Sequence, residues 1–290
     1  MPENFLFFIV FSSQIFLLSI YKPRKLYKLI TEVWSKHPPS EYPRFYPRPV
    51  DYYDKWLRWY RILNICSFLA VLTTVAARLA YVQSGKWDGL MVGICFLIQI
   101  FTRYLLELSL SRDYKLMREK DTRTVRKTRL RPRRLFDFIS PGLMGLVAVV
   151  YIASVATIIY VVQIDDEWYE SFGYIAMITA IYLLFAFMSY RHVHGKRLDP
   201  YQADEDRIRQ TGLIVRVFVY SSMVVTLFIT LSIALEFTEI RHPGPAVFSL
   251  YLQVMALIPF KTTKHIDELN FEVYREDTSS DKDAGLESGY

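Results

Sequence analysis

Seven long apolar stretches constrain this 290-residue chain more than anything else in it. They lie at 4–20, 62–83, 89–110, 142–162, 172–190, 213–235 and 244–260. A helix needs roughly 20 apolar residues to cross a hydrocarbon core about 30 Å thick, within a range of about 17–25. All seven stretches fit. In lipid the backbone must satisfy its own hydrogen bonds, so runs of this length are expected as helices. None alternates with period two as a barrel strand would. The pattern predicts an all-α integral membrane bundle of seven transmembrane helices over residues 1–260. A tail follows at 261–290, polar and acidic from about 276, where disorder is expected.

The first stretch does not read as a cleaved leader. A signal peptide starts with a basic segment and ends at a small-residue cleavage site. Here Met1-Pro2-Glu3-Asn4 carries no cation, and Lys22, Arg24, Lys25 and Lys28 follow the apolar run. A retained first helix with its N-terminus outside is expected. The loops agree with that orientation. Segments 21–61, 111–141, 191–212 and 261–290 hold 10, 11, 5 and 4 Lys+Arg, whereas all the intervening loops together hold 2. Lys and Arg bias fixes the orientation of membrane helices, so the topology reads N-out, C-in. The formal net charge of +6 therefore reflects orientation rather than affinity for nucleic acid, and no nucleic-acid partner is expected.

The first two hairpins look alike. Each opens on a basic, aromatic, Pro-containing entry, at 46–52 and 131–138, and each rises to a Tyr-Val…Gln end, at Tyr81-Val82-Gln83 and Tyr160-Val161-Val162-Gln163. Duplicated hairpins and compositional coincidence at aromatic-rich interfaces both account for this. The strip from Pro38 to Pro49 favours an extended chain, since its prolines forbid an ordinary helix. Tyr42, Arg44, Tyr46 and Arg48 in that strip are candidates to contact a protein partner or anionic headgroups, as are Arg131, Arg133 and Arg134 in the next basic loop. The run Leu130-Arg131-Pro132-Arg133-Arg134-Leu135-Phe136-Asp137-Phe138-Ile139-Ser140-Pro141 resembles a group of bacterial membrane proteins with no assigned function. The resemblance is strongest from Tyr42 to Pro141. It implies a bacterial inner (cytoplasmic) membrane and supplies no activity.

Polar residues inside the apolar runs are the remaining candidates, because burying an ionisable group in a membrane costs several kcal/mol. Cys95, Gln99, Arg103, Glu107 and Ser111 recur every four residues along the third stretch. Arg103 and Glu107 are i,i+4 partners that can neutralise each other. Antiparallel pairing with the second stretch is expected to bring Asn64 and Ser67 level with them. The cluster Asn64, Ser67, Gln99, Arg103 and Glu107 reads either as an ion or solute station or as a packing clamp. Ser222, Thr226, Thr230, Ser249 and Gln253 form weaker rows. Arg78 and Arg216 sit near span ends, where their side chains can snorkel.

No catalytic, cofactor or metal site is expected. His192 and His194 lack a third ligand at useful spacing, two Cys cannot staple the chain, and no phosphate loop, nucleophile elbow or paired-Cys motif is present. The chain reads first as a non-enzymatic accessory membrane protein, its basic inside loops contacting anionic lipid and a protein partner. The alternative reading is a small-solute or ion transporter that uses the intramembrane cluster.

Overall fold

A Pro-Arg-Lys sequence directly after an apolar run looks like the end of a helix, yet the backbone stays helical from Phe5 to Lys36 in the computed structural model. The structure describes residues 5–81, 89–121, 135–163, 168–195, 199–236, 244–259 and 269–275. Helix α1 (Phe5–Ile15) passes through a π-helical stretch, Phe16–Tyr21, into α2 (Lys22–Lys36). Pro23 is tolerated because it sits in the first turn of α2, where a missing N–H does least harm. The wider π turn also changes which residues face inward. Ser19 and Lys22 are both buried.

The next helices are α3 (Val50–Tyr81), α4 (Gly89–Lys120), α5 (Pro141–Gln163), α6 (Trp168–His194) and α7 (Asp204–Glu236). Three of them have 32 or 33 residues, about 48 Å, well past the reach of a hydrocarbon core. Their apolar parts match the expected spans, and the surplus turns carry the charged residues beyond them. Helix α5 begins at Pro141, with the Ser140 hydroxyl accepting from the Leu143 N–H at 3.3 Å, a regular N-cap. Among the described residues no strand occurs.

Among the described residues, six helices are long and apolar enough to cross a membrane, and a seventh apolar helix is shorter. The stretch 244–260, expected as a span, contributes only α8 (Gly244–Leu257), 14 residues or about 21 Å. Pro259 forbids a regular continuation, and a helix of this length falls among buried or re-entrant segments rather than complete crossings.

The side-chain pattern runs opposite to that of a water-soluble bundle. Leu90, Leu97, Ile152 and Leu183 point outward with 64–74% of their surface exposed, whereas Gln14, Thr226 and Ser249 are completely buried. An apolar coat of this extent suits lipid rather than water. The chain is a membrane-embedded helical protein. Three packing groups build it, one of them formed by Phe138, Ile139, Val193 and Val215. Phe7, Phe11, Val71, Val92, Cys95 and Leu252 join α1, α3, α4 and α8, while Ile158, Val162, Ile178 and Ile233 join α5, α6 and α7. Helix α7 also packs on α8 and so ties the groups together.

Residues 269–275 pack against the 37–49 connection and reach Asp199 and Asp206. The His37 ring stacks on Phe271 at 3.9 Å, and Phe45 packs edge-on against both Phe271 and Tyr274. Asp206, in the first turn of α7, accepts from the Asn270 backbone N–H at 2.9 Å. Asp199 Oδ1 accepts from the Tyr201 N–H, and its Oδ2 accepts from the Tyr274 hydroxyl.

Candidate functional site

Gln99 is buried on α4, and its amide is matched on both sides. Its oxygen accepts from Gln14 Nε2 at 3.1 Å, and its nitrogen donates to Ser19 Oγ at 2.9 Å. The Gln14 oxygen in turn accepts from Ser249 Oγ at 2.7 Å. Nearby, Gln253 Nε2 donates to the Val10 carbonyl at 2.9 Å and its oxygen accepts from Ser13 Oγ at 3.0 Å. A polar seam thus crosses α1, α4 and α8 through an otherwise apolar interior. Seams of this kind replace unsatisfied amides in hydrocarbon with paired ones, and they fix which helix faces meet.

The sequence pattern put Asn64 and Ser67 level with Arg103 and Glu107; the structure sets Asn64 against Thr102, next to Arg103, and Ser67 against Ile98, about one turn away. Thr102 Oγ1 donates to Asn64 Oδ1 at 3.0 Å, and Asn64 Nδ2 donates to the Tyr60 carbonyl at 2.7 Å. Ser67 Oγ donates to the Ile98 carbonyl at 2.9 Å. Asn64 and Ser67 therefore pin α3 to α4. Arg103 and Glu107 pair with each other, Nε to Oε1 at 3.1 Å, and Glu107 stays largely exposed. Gln99 belongs to the seam and also reaches the wall of a cavity next to Arg103.

That cavity measures about 400 Å³ and lies between the π stretch, the start of α2, α4 and the end of α8, with Tyr60 contributed by α3. Lys22, Arg103 and Glu107 supply its charge, and Leu18, Phe96, Ile100, Leu252 and Met255 much of its apolar wall. Lys22 is buried, and its ammonium donates to the Ala256 carbonyl in the last turn of α8. Carbonyls at a helix C-terminus lack partners within the helix and carry partial negative charge, which favours a cation there. This end of α8 lines the cavity, through Met255, Ala256 and Pro259. Two cations and one carboxylate, set in a mostly apolar hollow within helices of membrane-spanning character, can hold an ion or a polar head and shelter what is attached to it.

Sequence reasoning missed Gln14, Ser19 and Lys22 as parts of this site. A single Gln amid the residues of 4–20 was the available signal, since a lone amide in an apolar run needs a partner on another helix. Lys22 gave no such signal, because it stands with the topological cations of the following loop.

The candidate contact strip turns largely toward the protein itself. Tyr42 is buried, and its hydroxyl lies 3.4 Å from Glu272 and accepts from Arg275 at 3.1 Å. Arg44 lies over the Tyr201 ring. Tyr46 donates to the His37 carbonyl at 2.6 Å, and burial pushes its phenol up to about 12. Arg48 pairs with Asp113 at 2.7 Å and lies over the Tyr52 ring. Arg131, Arg133 and Arg134 lie outside the described residues.

No protein-family model, curated protein or solved structure matches the chain. The site therefore has to be read from its own geometry. Among the described residues, no group of three or more His, Cys, Asp and Glu is placed to hold a metal ion. His194 Nδ1 faces the Tyr190 carbonyl at 3.1 Å, and Arg216 donates to the Phe138 carbonyl at 3.3 Å. Thr226 donates to Ser222 one turn back, as hydroxyls in apolar helices commonly do.

Proposed function

We propose that the chain is a multi-pass carrier that holds a small solute in the cavity between α2, α4 and α8. One observation carries this reading: Arg103, Glu107 and Lys22 converge on a cavity of about 400 Å³, a volume within the usual range of ligand pockets. A bundle clamped only by its polar residues has no need of charge around an open hollow, because buried ions are costly unless they do something. The proposal includes a bacterial inner membrane, with the N-terminus outside and the C-terminus in the cytoplasm, supported by 30 Lys+Arg in the inside segments against 2 in the outside loops.

The decisive experiment is solute flux in proteoliposomes. Uptake of a solute that wild type carries should fall to the level of empty vesicles in Glu107→Gln and in Arg103→Gln. Uptake unchanged in both variants overturns the assignment to this cavity, and absence of flux across a broad panel of ions and small metabolites overturns the carrier reading.

The accessory-protein reading keeps one supporting observation, the 11 Lys+Arg between 111 and 141, a density suited to anionic headgroups. The Tyr42–Arg48 strip adds less to it, since those side chains engage the chain's own residues. Cross-linking from the 122–134 segment in native membranes tests it. Recovery of lipid without protein argues against a partner.

A further inference from the structure

Helices α2 and α3 run antiparallel, and two contacts fix their register. The Arg61 guanidinium lies over the Tyr27 ring, 4.5 Å from its centre, and the Trp34 ring packs edge-on against Tyr53. Residues three and four apart share a helix face. Arg24 therefore stands one turn from Tyr27 on α2, with Lys28 beside them, and Arg58 stands one turn from Arg61 on α3. All four cations are exposed. They border one outward groove between the two helices. The cavity lies on a different face of α2, which lines it with Lys22 and Leu26.

Cation counts alone assign these residues to orientation. The structure adds two observations. Stacking on Tyr27 holds the Arg61 guanidinium in place, so a phosphate there meets a preset fork of donors. The cations also end where the apolar coat begins. Ile62 follows Arg61 directly, and Ile62, Ile65, Leu69 and Leu72 continue the Arg58 row along α3 with 41–54% of their surface exposed. The carboxylates of these helices stand apart from that junction. Glu32 pairs with Lys36 at 2.9 Å, and Asp51 and Asp54 lie on the side of Arg58 away from the coat. Charge on one side and hydrocarbon on the other match a phospholipid, whereas a soluble phosphate compound makes no use of the apolar row.

We infer that this groove seats an anionic phospholipid, its phosphate held by Arg61 with Arg58, Arg24 and Lys28, and an acyl chain along the row from Ile62 to Leu72. Guanidinium donors suit a phosphate through paired, charge-assisted hydrogen bonds. The carrier reading can fail without it, since groove and cavity share no residue.

The test is native mass spectrometry of the full-length protein, released from micelles that carry equal amounts of phosphatidylglycerol and phosphatidylcholine with the same acyl chains. Wild type should retain phosphatidylglycerol in preference. Arg58→Gln combined with Arg61→Gln should lower that retention at least about tenfold. Tyr27→Leu, which removes the ring under Arg61, should lower it several-fold. Arg112→Gln combined with Arg191→Gln removes exposed cations of α4 and α6 and should leave it unchanged. Equal retention of the two lipids, an equal loss in the Arg112 and Arg191 variant, or retention unchanged in the Arg58 and Arg61 variant overturns the inference. Displacement of the lipid by millimolar glycerol phosphate overturns it too, because a soluble phosphate is then the ligand. Should the Arg58 and Arg61 variant fail to fold, Arg24→Gln with Lys28→Gln replaces it, with the same loss expected.

Discussion

The Lys22 ammonium donates to the carbonyl of Ala256, joining the first helical segment to the last across 234 positions of sequence. That contact closes one wall of the cavity, and it depends on two local departures from regular spanning helices. The π stretch before Lys22 turns its side chain inward. The early stop of α8 leaves a helix end there to meet it. Neither alone would bring a cation into the interior.

Gln14 and Gln99 should be energetically coupled. Gln14→Leu leaves the Gln99 oxygen and the Ser249 hydroxyl without this partner, and we expect a loss of about 1–3 kcal/mol. The double variant with Gln99→Leu should lose less than the two single losses combined, with a coupling of about 0.6–1.7 kcal/mol, the span known for hydrogen bonds between membrane helices. Reversible unfolding in mixed micelles measures the cycle. Strict additivity would mean that the seam is not cooperative.

Glu107 should matter for solute and little for folding. Its side chain lies outside the packed interior, so Glu107→Gln should disturb packing less than Gln14→Leu does. The same variant should abolish flux. A thermal midpoint that drops as far as that of Gln14→Leu would assign Glu107 a structural role instead.

Arg48 and Asp113 pin the proline-rich connection to α4. Only 9% of the Asp113 side chain and 22% of the Arg48 side chain are exposed. Asp113→Ala should therefore be costly, about 3 kcal/mol, because it strands the Arg48 charge. Removing both partners, with Arg48→Met and Asp113→Leu, should recover much of that loss. Denaturant titration of the three variants gives the answer, and a double variant worse than Asp113→Ala would contradict it.

Tyr274 should release residues 269–275 when it can no longer donate. Burial, and then the negative charge of Asp199, push its phenol above the ordinary tyrosine value near 10. A raised folded value means that the bond's contribution is fully present below about pH 10 and fades as pH climbs through the folded value. Tyr46, pushed up to about 12, should follow the same course between about 10 and that point. Tyrosinate absorbance against pH should show these late titrations. Tyr274→Phe should raise hydrogen exchange in 269–275 at neutral pH, and exchange equal to wild type would show that ring packing alone holds the segment.

Several elements were legible from one dimension. The apolar runs marked the helix cores to within a few residues, Pro141 after Ser140 announced the start of α5, and the four-residue row on α4 pointed to Gln99 and Arg103. The errors share a cause. Hydropathy summed over 244–260 reached the length of a span, but it could not register that the helix stops at Leu257. Counting cations by loop assigned Lys22 to orientation, and the π stretch that turns it inward leaves no mark in composition. Ser67 was placed about one turn off because the offset between two antiparallel helices depends on how their side chains pack.

By itself the sequence determined solvent and secondary structure: apolar runs of this length must be helices, since no lipid can satisfy an open backbone. Only the tertiary structure decided which polar groups meet. Partners such as Gln14 with Gln99, or Lys22 with Ala256, lie on different helices, and their meeting depends on rotation, offset and helix length together. Those quantities are set by packing between surfaces that are far apart along the chain, where no local pattern records them.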